Sequence, residues 1–226
     1  MTKRVYSVAI DGPAGAGKST IARAAAQKVG FVYADTGAIY RTVAFAVLQS
    51  GIDANADNAV AVLLPSVSVQ VTWLNGVQHM ILNGHDITAA IRTPAVSNAA
   101  SVLAAQSAVR QFLLETQREI ARTNNVVMDG RDIGTVVLPE ADVKIFLTAS
   151  AEVRAGRRFA ELREKHPELT FDEVLADLKE RDLRDSSRKI APLRQADDAI
   201  LLDTSDFTLA QSIDAAIRCI QERLGL

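Results

Sequence analysis

Five short apolar, mostly β-branched runs punctuate this chain, at residues 5–10, 31–34, 126–128, 143–147 and 199–202. They are continuous rather than alternating, which is the signature of strands covered on both faces. Stretches with helical periodicity separate them, at residues 18–29, 38–49, 107–122, 151–165, 171–190 and 209–224. Alternation of strands and helices predicts a parallel sheet joined by right-handed crossovers, a doubly wound α/β fold.

One segment breaks the rhythm. In "VSVQVTWLNGVQHMIL" apolar and polar positions alternate, and Asn75-Gly76 supplies the two residues that accept positive φ in a tight hairpin turn. Residues 66–88 therefore read as a small antiparallel insertion, with Trp73 and His79 in packing or surface roles. Thr93-Pro94 then opens a further helix, with Pro at its favoured first position.

At 226 residues, the length suits one domain, and 48 % hydrophobic with 23 % charged residues is an ordinary globular balance. A net charge of -2 excludes general nucleic-acid binding, which needs a basic surface. The single cysteine, Cys219, rules out an internal disulfide and reads as a buried structural thiol. No signal peptide or 18-residue apolar window is present, so a soluble protein of the cytoplasm, with no membrane partner, is expected. The cations are biased: Arg outnumbers Lys 18 to 7, and eight Arg lie between Arg154 and Arg194 among interleaved acids. On composition alone that stretch reads as a salt-bridged helical face.

"DGPAGAGKST" changes the picture. Gly12, Pro13, Ala14, Gly15, Ala16, Gly17, Lys18 and Ser19 fit G-x-x-x-x-G-K-[ST] between an expected strand and an expected helix. Glycines let backbone N–H groups turn inward around phosphate, and the helix N-terminus adds its positive end. ATP is the expected ligand, with Lys18 reaching the β and γ phosphates, Ser19 holding Mg²⁺ and Thr20 adjoining. A GTPase would carry Asn-Lys-x-Asp, and the chain has no Asn-Lys pair. A motor would carry an apolar strand ending in Asp-Glu, and the one Asp-Glu, at 172–173, opens a helical stretch. Both absences point to a small-molecule kinase.

The acceptor should sit beyond the carboxyl ends of the strands. "ADTGAIYRT" places Asp35, Thr36, Tyr40 and Arg41 there, and "MDGRDIGTVV" places Asp129, Arg131 and Asp132. Arg41 and Arg131 could clamp a second anion, Asp132 could accept a hydrogen bond from an amine or hydroxyl, and Asp35 or Asp129 could orient magnesium waters. Further on, Arg181, Asp185 and Arg188 are spaced to share one helix face. That face suits either a solvated stripe or an arm that swings arginine over the transferring phosphoryl group. Arg154, Arg157 and Arg158 on the preceding helix would form its other side.

With "IRTPAVSNAAS", "KIFLTAS", "ERDLRDSSRKIAPL" and "ILLDTS", these motifs occur in an order that resembles the bacterial cytidylate kinases, of the nucleoside monophosphate kinase group, over nearly the full length. The resemblance implies a single P-loop kinase domain with a five-stranded parallel core of residues 1–35, 107–150 and 195–226. It also implies a monophosphate-binding part at 36–106 that carries the insertion, and a lid at 151–194. The implied reaction is phosphorylation of CMP and dCMP by ATP with Mg²⁺, in a monomer. Residue by residue, Lys18, Arg131 and Arg188 would be catalytic, and the loop from Gly12 to Thr20, with Arg157 and Arg158, would bind ATP. Arg41, Arg131 and Arg188 would hold the CMP phosphate, and Ser101, Arg110 and Asp132 the cytosine. Arg181 and Asp185 would hold the sugar, with Thr36, Tyr40 and Asp129 lining the pocket. The alternatives are a kinase for UMP or for a non-nucleotide acid such as shikimate, and a nucleotide-binding switch that transfers nothing.

Overall fold

The computed structural model describes residues 4–164 and 166–226. Its main sheet has five parallel strands: β1 (Ser7–Asp11), β2 (Val32–Asp35), β6 (Val126–Gly130), β7 (Val143–Thr148) and β8 (Ile200–Asp203). They lie in the order β2-β6-β1-β7-β8, so β1 is central, with β2 and β6 on one side of it and β7 and β8, which follow in the chain, on the other. Register aligns the carboxyl ends, with Asp11 beside Gly130 and Phe146, and Asp35 beside Asp129.

Both faces are covered, as the continuous apolar runs require. Val8 and Ile10 of β1, Val127 of β6 and Ile145 of β7 pack against α1 (Lys18–Val29) and α8 (Leu209–Leu224) on one face. Ala9, Ala34, Val126 and Met128 point the other way, towards α2 (Thr36–Gln49), α4 (Pro94–Leu103) and α5 (Ser107–Thr123). Two further helices, α6 (Ala151–Leu162) and α7 (Phe171–Ser186), form a separate apolar cluster around Ala155, Val174 and Leu178 that includes Ala14 of the loop after β1.

The insertion is a three-stranded antiparallel sheet of β3 (Val69–Leu74), β4 (Val77–Leu82) and β5 (His85–Asp86). Asn75 and Gly76 turn the hairpin at φ 52° and 76°, as their sequence predicts. Trp73 is half-buried against the core of the α2 face, and His79 bonds Asp86 at 2.7 Å, so both keep the packing and surface roles expected of them.

Several boundaries move for physical reasons. The strands extend past their apolar runs to Asp11, Asp35, Gly130, Thr148 and Asp203, because pairing continues into polar residues that face the crevice. Helix α2 starts at Thr36 rather than residue 38, since the Asp35 carboxylate accepts from Ala38 N at 2.8 Å and caps it. α7 ends at Ser186 rather than residue 190, α6 ends at Leu162, and Lys165 lies outside the described residues. The short α3 (Asp57–Leu63), β5 and a compact helical turn at Ile133–Val137 were not foreseen. Cys219 is half-buried beside the α1–α8 cluster rather than fully enclosed. Among the described residues no helix is long and apolar enough to cross a membrane.

Candidate active site

The loop after β1 is shaped by what glycine permits. Gly12 sits at φ 151°, where a Cβ would fall 1.9 Å from the Leu147 carbonyl oxygen, so only glycine lets the chain pass β7. Gly17, at φ 83°, precedes α1 without any side-chain cap, and the first turn of α1 carries no acid. The helix therefore starts with free N–H groups and an unopposed positive end, which suits a phosphate.

Lys18 is buried, and its ammonium donates to the Pro13 carbonyl oxygen at 2.7 Å. Burial, and then the Arg131 charge, hold its pKa well below the usual lysine range, while Asp129 and Asp11 oppose that shift. Ser19 Oγ donates to Asp129 Oδ2 at 3.2 Å, and the Tyr33 hydroxyl donates to Asp129 Oδ1 at 2.8 Å. The Asp129 carboxylate thus lies against Ser19 of the phosphate loop, as a residue orienting magnesium waters would, while its backbone carbonyl oxygen accepts from Thr36 on the acceptor side. Burial, then the neighbouring Asp35 charge, push its pKa up to about 6.

Asp11, inside the loop motif but given no role from sequence, stands at the end of β1. Its carboxylate accepts from Ile133 N at 2.8 Å and Gly134 N at 2.7 Å, which locks the turn after β6 to the phosphate loop. Burial pushes its pKa up from 3.8 to about 6, despite those two N–H groups. The folded state therefore holds the Asp11 proton more tightly than the unfolded chain does, and the stability linked to that proton is lost as pH rises from about 4 to 6. Asp11→Asn, which cannot ionise, is expected to gain thermal stability relative to the parent chain over that interval, with the gain level above it. Melting curves of both ligand-free proteins at pH 4, 5, 6 and 7 check this; parallel curves would exclude it.

On the other side of the loop, α2 and β6 bring up the acceptor residues. Thr36 Oγ1 donates to the Asp129 carbonyl oxygen at 2.7 Å, pinning the start of α2 to β6. Arg41 Nη2 reaches Asp35 at 2.8 Å. Arg110, from α5, donates to the Ala104 carbonyl oxygen at 3.1 Å, pairs with Asp132, and lies 5.9 Å from the centre of the Tyr40 ring. Arg110 and Asp132 are both buried, and burial raises the Asp132 pKa against the pull of Arg110. Burial likewise raises the Tyr40 pKa.

The α7 residues complete the ring. Asp185 is 1 % exposed and accepts from Arg131 Nε at 2.8 Å and from Arg188. Arg188 lies beyond the end of α7 and not on its face, contrary to the expected i, i+4, i+7 stripe; it meets Asp185 by folding back from the following loop. Burial, then Arg131, bring the Arg181 pKa down to about 10. Among the described residues eight buried side-chain N or O atoms lack a protein partner, and four of them are Arg41 Nε, Ser101 Oγ, Arg181 Nε and Arg188 Nε. All four belong to the set that the sequence assigned to a second substrate, and unpaired buried donors are what a polar ligand satisfies.

The expected far side of the lid is different. Arg154 is buried, donates to the Ala149 and Ala14 carbonyl oxygens at 2.9 Å each, and pairs with Asp182 of α7 at 2.7 Å. Arg157 donates to the Thr204 carbonyl oxygen at 2.7 Å, and Arg158 pairs with Glu161 at the surface. Among the described residues, Arg154 alone of the three is paired with α7, through Asp182.

A family model described as Cytidylate kinase matches residues 8–222. The chain belongs to the cytidylate kinase family. The cytidylate kinase of Caldicellulosiruptor saccharolyticus is 44% identical over 219 residues, covering 97% of each chain. That of Clostridium botulinum (strain Loch Maree) is 48% identical over 208 residues, covering 92% of this chain and 94% of its own. That of Geobacter sulfurreducens is 45% identical over 221 residues, covering 98% and 95%. Among solved structures, a shikimate kinase from Bacteroides thetaiotaomicron aligns over 99% of this chain at 17% identity, with a TM-score of 0.48. The protein is a phosphotransferase, a nucleoside monophosphate kinase.

Proposed function

We propose that the protein transfers the γ-phosphoryl group of ATP to CMP and dCMP, giving ADP and CDP or dCDP. The observation that carries this reading is the buried Arg110–Asp132 pair beside Tyr40. Cytosine offers an amino donor beside ring-nitrogen and carbonyl acceptors. A carboxylate takes the amino hydrogen, and Arg110 with the unpartnered Ser101 hydroxyl serves the acceptors. Uracil sets a carbonyl against Asp132 and mispairs a buried group, at a cost of about 1–3 kcal/mol. The Arg188 charge favours the ionised form of Asp132 as well as of Asp185, which supports reading Asp132 as near the arginines assigned here to the phosphate.

The CMP phosphate is already an anionic nucleophile, so no strong general base is needed. One of its oxygens attacks the γ-phosphorus in line; a new P–O bond forms as the bond to the bridging oxygen breaks, and the electron pair leaves on ADP. The residues of this chain position and neutralise. The phosphate loop from Gly12 to Thr20 cradles the donor, and Lys18 leaves Pro13 for the β and γ oxygens. Arg41, Arg131 and Arg188 hold the acceptor phosphate, and Arg181 with Asp185 the sugar.

Ser19 and Asp129 fit Mg²⁺. Both present hard oxygen ligands at the phosphate loop, 3.2 Å apart. Ser19 would hold the ion and Asp129 its waters; when bound, Mg²⁺ would supply charge neutralisation for phosphoryl transfer. The same reading divides the domain into a core, a monophosphate-binding part at 36–106 and a lid at 151–194, acting as a monomer in the cytoplasm.

The experiment is ADP formation from ATP and Mg²⁺ with CMP, dCMP, UMP, AMP or shikimate in turn. Acceleration by CMP and dCMP far above the rest is the expected result. Turnover that ignores every acceptor would return the protein to a non-transferring switch.

A further inference from the structure

β2 is an edge strand: β6 pairs with one side of it, and among the described residues no strand of the main sheet lies on the other. An open edge leaves backbone N–H and C=O groups without partners, and some device must supply them. Here two side chains of the hairpin do so. Trp73 and Gln78 are directly opposite in the β3–β4 register, so they share one face of the insertion. The Trp73 indole donates to the Tyr33 carbonyl oxygen at 2.9 Å. Two residues along the same edge, the Gln78 carboxamide oxygen accepts from Asp35 N at 2.7 Å while its Nε2 donates to the Asp35 carbonyl oxygen at 3.2 Å. The carboxamide pairs with Asp35 as a neighbouring strand's peptide would, giving and accepting at one residue.

Asp35 is where that grip matters. Its carboxylate caps α2 through Ala38 N and holds Arg41 through Oδ2. Packing alone does not fix Gln78, since the side chain borders a cavity of about 90 Å³ lined also by Asp35, Ala38 and Arg92. Its orientation depends on the two bonds to Asp35 and on a contact of Nε2 with Met80 Sδ at 3.1 Å.

We infer that Gln78 is a positioning residue for the acceptor phosphate: its carboxamide completes the free edge of β2, fixes Asp35, and through Asp35 sets Arg41 and the start of α2. The inference rests on the reading that Arg41 binds the CMP phosphate. It also gives the insertion a role in acceptor affinity, in addition to covering a sheet edge.

The test uses the full chain in four forms. Gln78→Met keeps the side-chain length and removes both bonds. Gln78→Glu keeps the acceptor oxygen and removes the donor. Trp73→Phe cuts the other hairpin bond to β2 without touching Asp35, and Arg41→Ala probes the underlying reading. Steady-state kinetics and melting temperature are measured for each. Gln78→Met is expected to raise KM for CMP about fivefold or more, because a small misplacement of a binding group costs affinity steeply, with KM for ATP within about twofold of the parent value. Gln78→Glu moves KM for CMP the same way. Trp73→Phe lowers the melting temperature and leaves KM for CMP in place. An unchanged KM for CMP in Gln78→Met, or an equal rise in Trp73→Phe, overturns the positioning role. An unchanged KM for CMP in Arg41→Ala removes the reading on which it stands.

Discussion

Replacing Lys18 by methionine is expected to lower kcat by about 10³-fold, with KM for CMP close to that of the parent enzyme. Methionine keeps the apolar stem and removes the ammonium. In the ligand-free fold that ammonium is spent on the Pro13 carbonyl oxygen, and burial and Arg131 both work against its charge. A triphosphate in the loop reverses the balance, since the developing negative charge on the transferring group is strongest where Lys18 can reach. The interaction is thus made in the transition state rather than in the resting fold, and its loss appears in kcat. Folding stability should change little, because burying the cation is itself unfavourable. Initial rates at saturating ATP and CMP, beside a melting curve, separate the two effects. A fall of only a few-fold would place Lys18 away from the phosphates.

The parallel core was legible because the rules that produce it are local. Continuous β-branched runs exist only where a strand is covered twice, and the glycine pattern at 12–17 has few uses other than wrapping an anion. Residues at the strand ends were legible for a related reason: once the sheet is parallel, Asp35, Arg41, Arg131 and Asp132 have to face one crevice. Asp11 was not, because its role depends on two backbone N–H groups 122 and 123 positions away, which no spacing in the sequence announces. Tyr33 and Gln78 escaped similarly; each acts across a tertiary contact, on Asp129 and on Asp35. The arginine-rich stretch was half legible. Arg158 and Arg184 do sit in exposed pairs with Glu161 and Glu180, as composition suggested. Arg154, whose spacing looks the same, is drawn inside by the Ala14 carbonyl oxygen, and helix periodicity cannot tell these fates apart.

A single arrangement recurs across the acceptor side. Arg41 is held by Asp35, Arg110 by Asp132, and Arg131 and Arg188 by the shared Asp185. Guanidinium groups brought together without counter-charges would repel one another; Asp132 and Asp185 hold the buried side chains of Arg110 and Arg188, while Asp35 and Asp185 hold the partly exposed Arg41 and Arg131. On the reading proposed above, a dianionic phosphate entering among them would meet donors already in place, which would limit the ordering cost of binding. The unpartnered Nε atoms of Arg41 and Arg188 show that the carboxylates occupy only part of each fork.

Asp132 carries the second large effect, and two substitutions divide it. Asp132→Ala leaves Arg110 buried without its counter-charge, and the loss of a buried partner costs about 3–5 kcal/mol; denaturant unfolding should show a drop of that order. Asp132→Asn keeps the shape and still accepts from Arg110 through Oδ1, so its stability should fall less. Its amide then turns an N–H towards the base, where the carboxylate had offered an oxygen. Against the cytosine amino group that is donor facing donor; against the uracil carbonyl it is a matched pair. A mispaired buried group costs about 1–3 kcal/mol, or roughly five- to 150-fold. The CMP to UMP ratio of kcat/KM is therefore expected to collapse in Asp132→Asn by about tenfold or more, chiefly through loss with CMP, since the uracil ring N–H still faces the Arg110 donor. Kinetics with both monophosphates check it. If the asparagine enzyme keeps its preference for CMP, the base is read elsewhere, and the Arg110–Asp132 pair is a structural bond between α5 and the turn after β6.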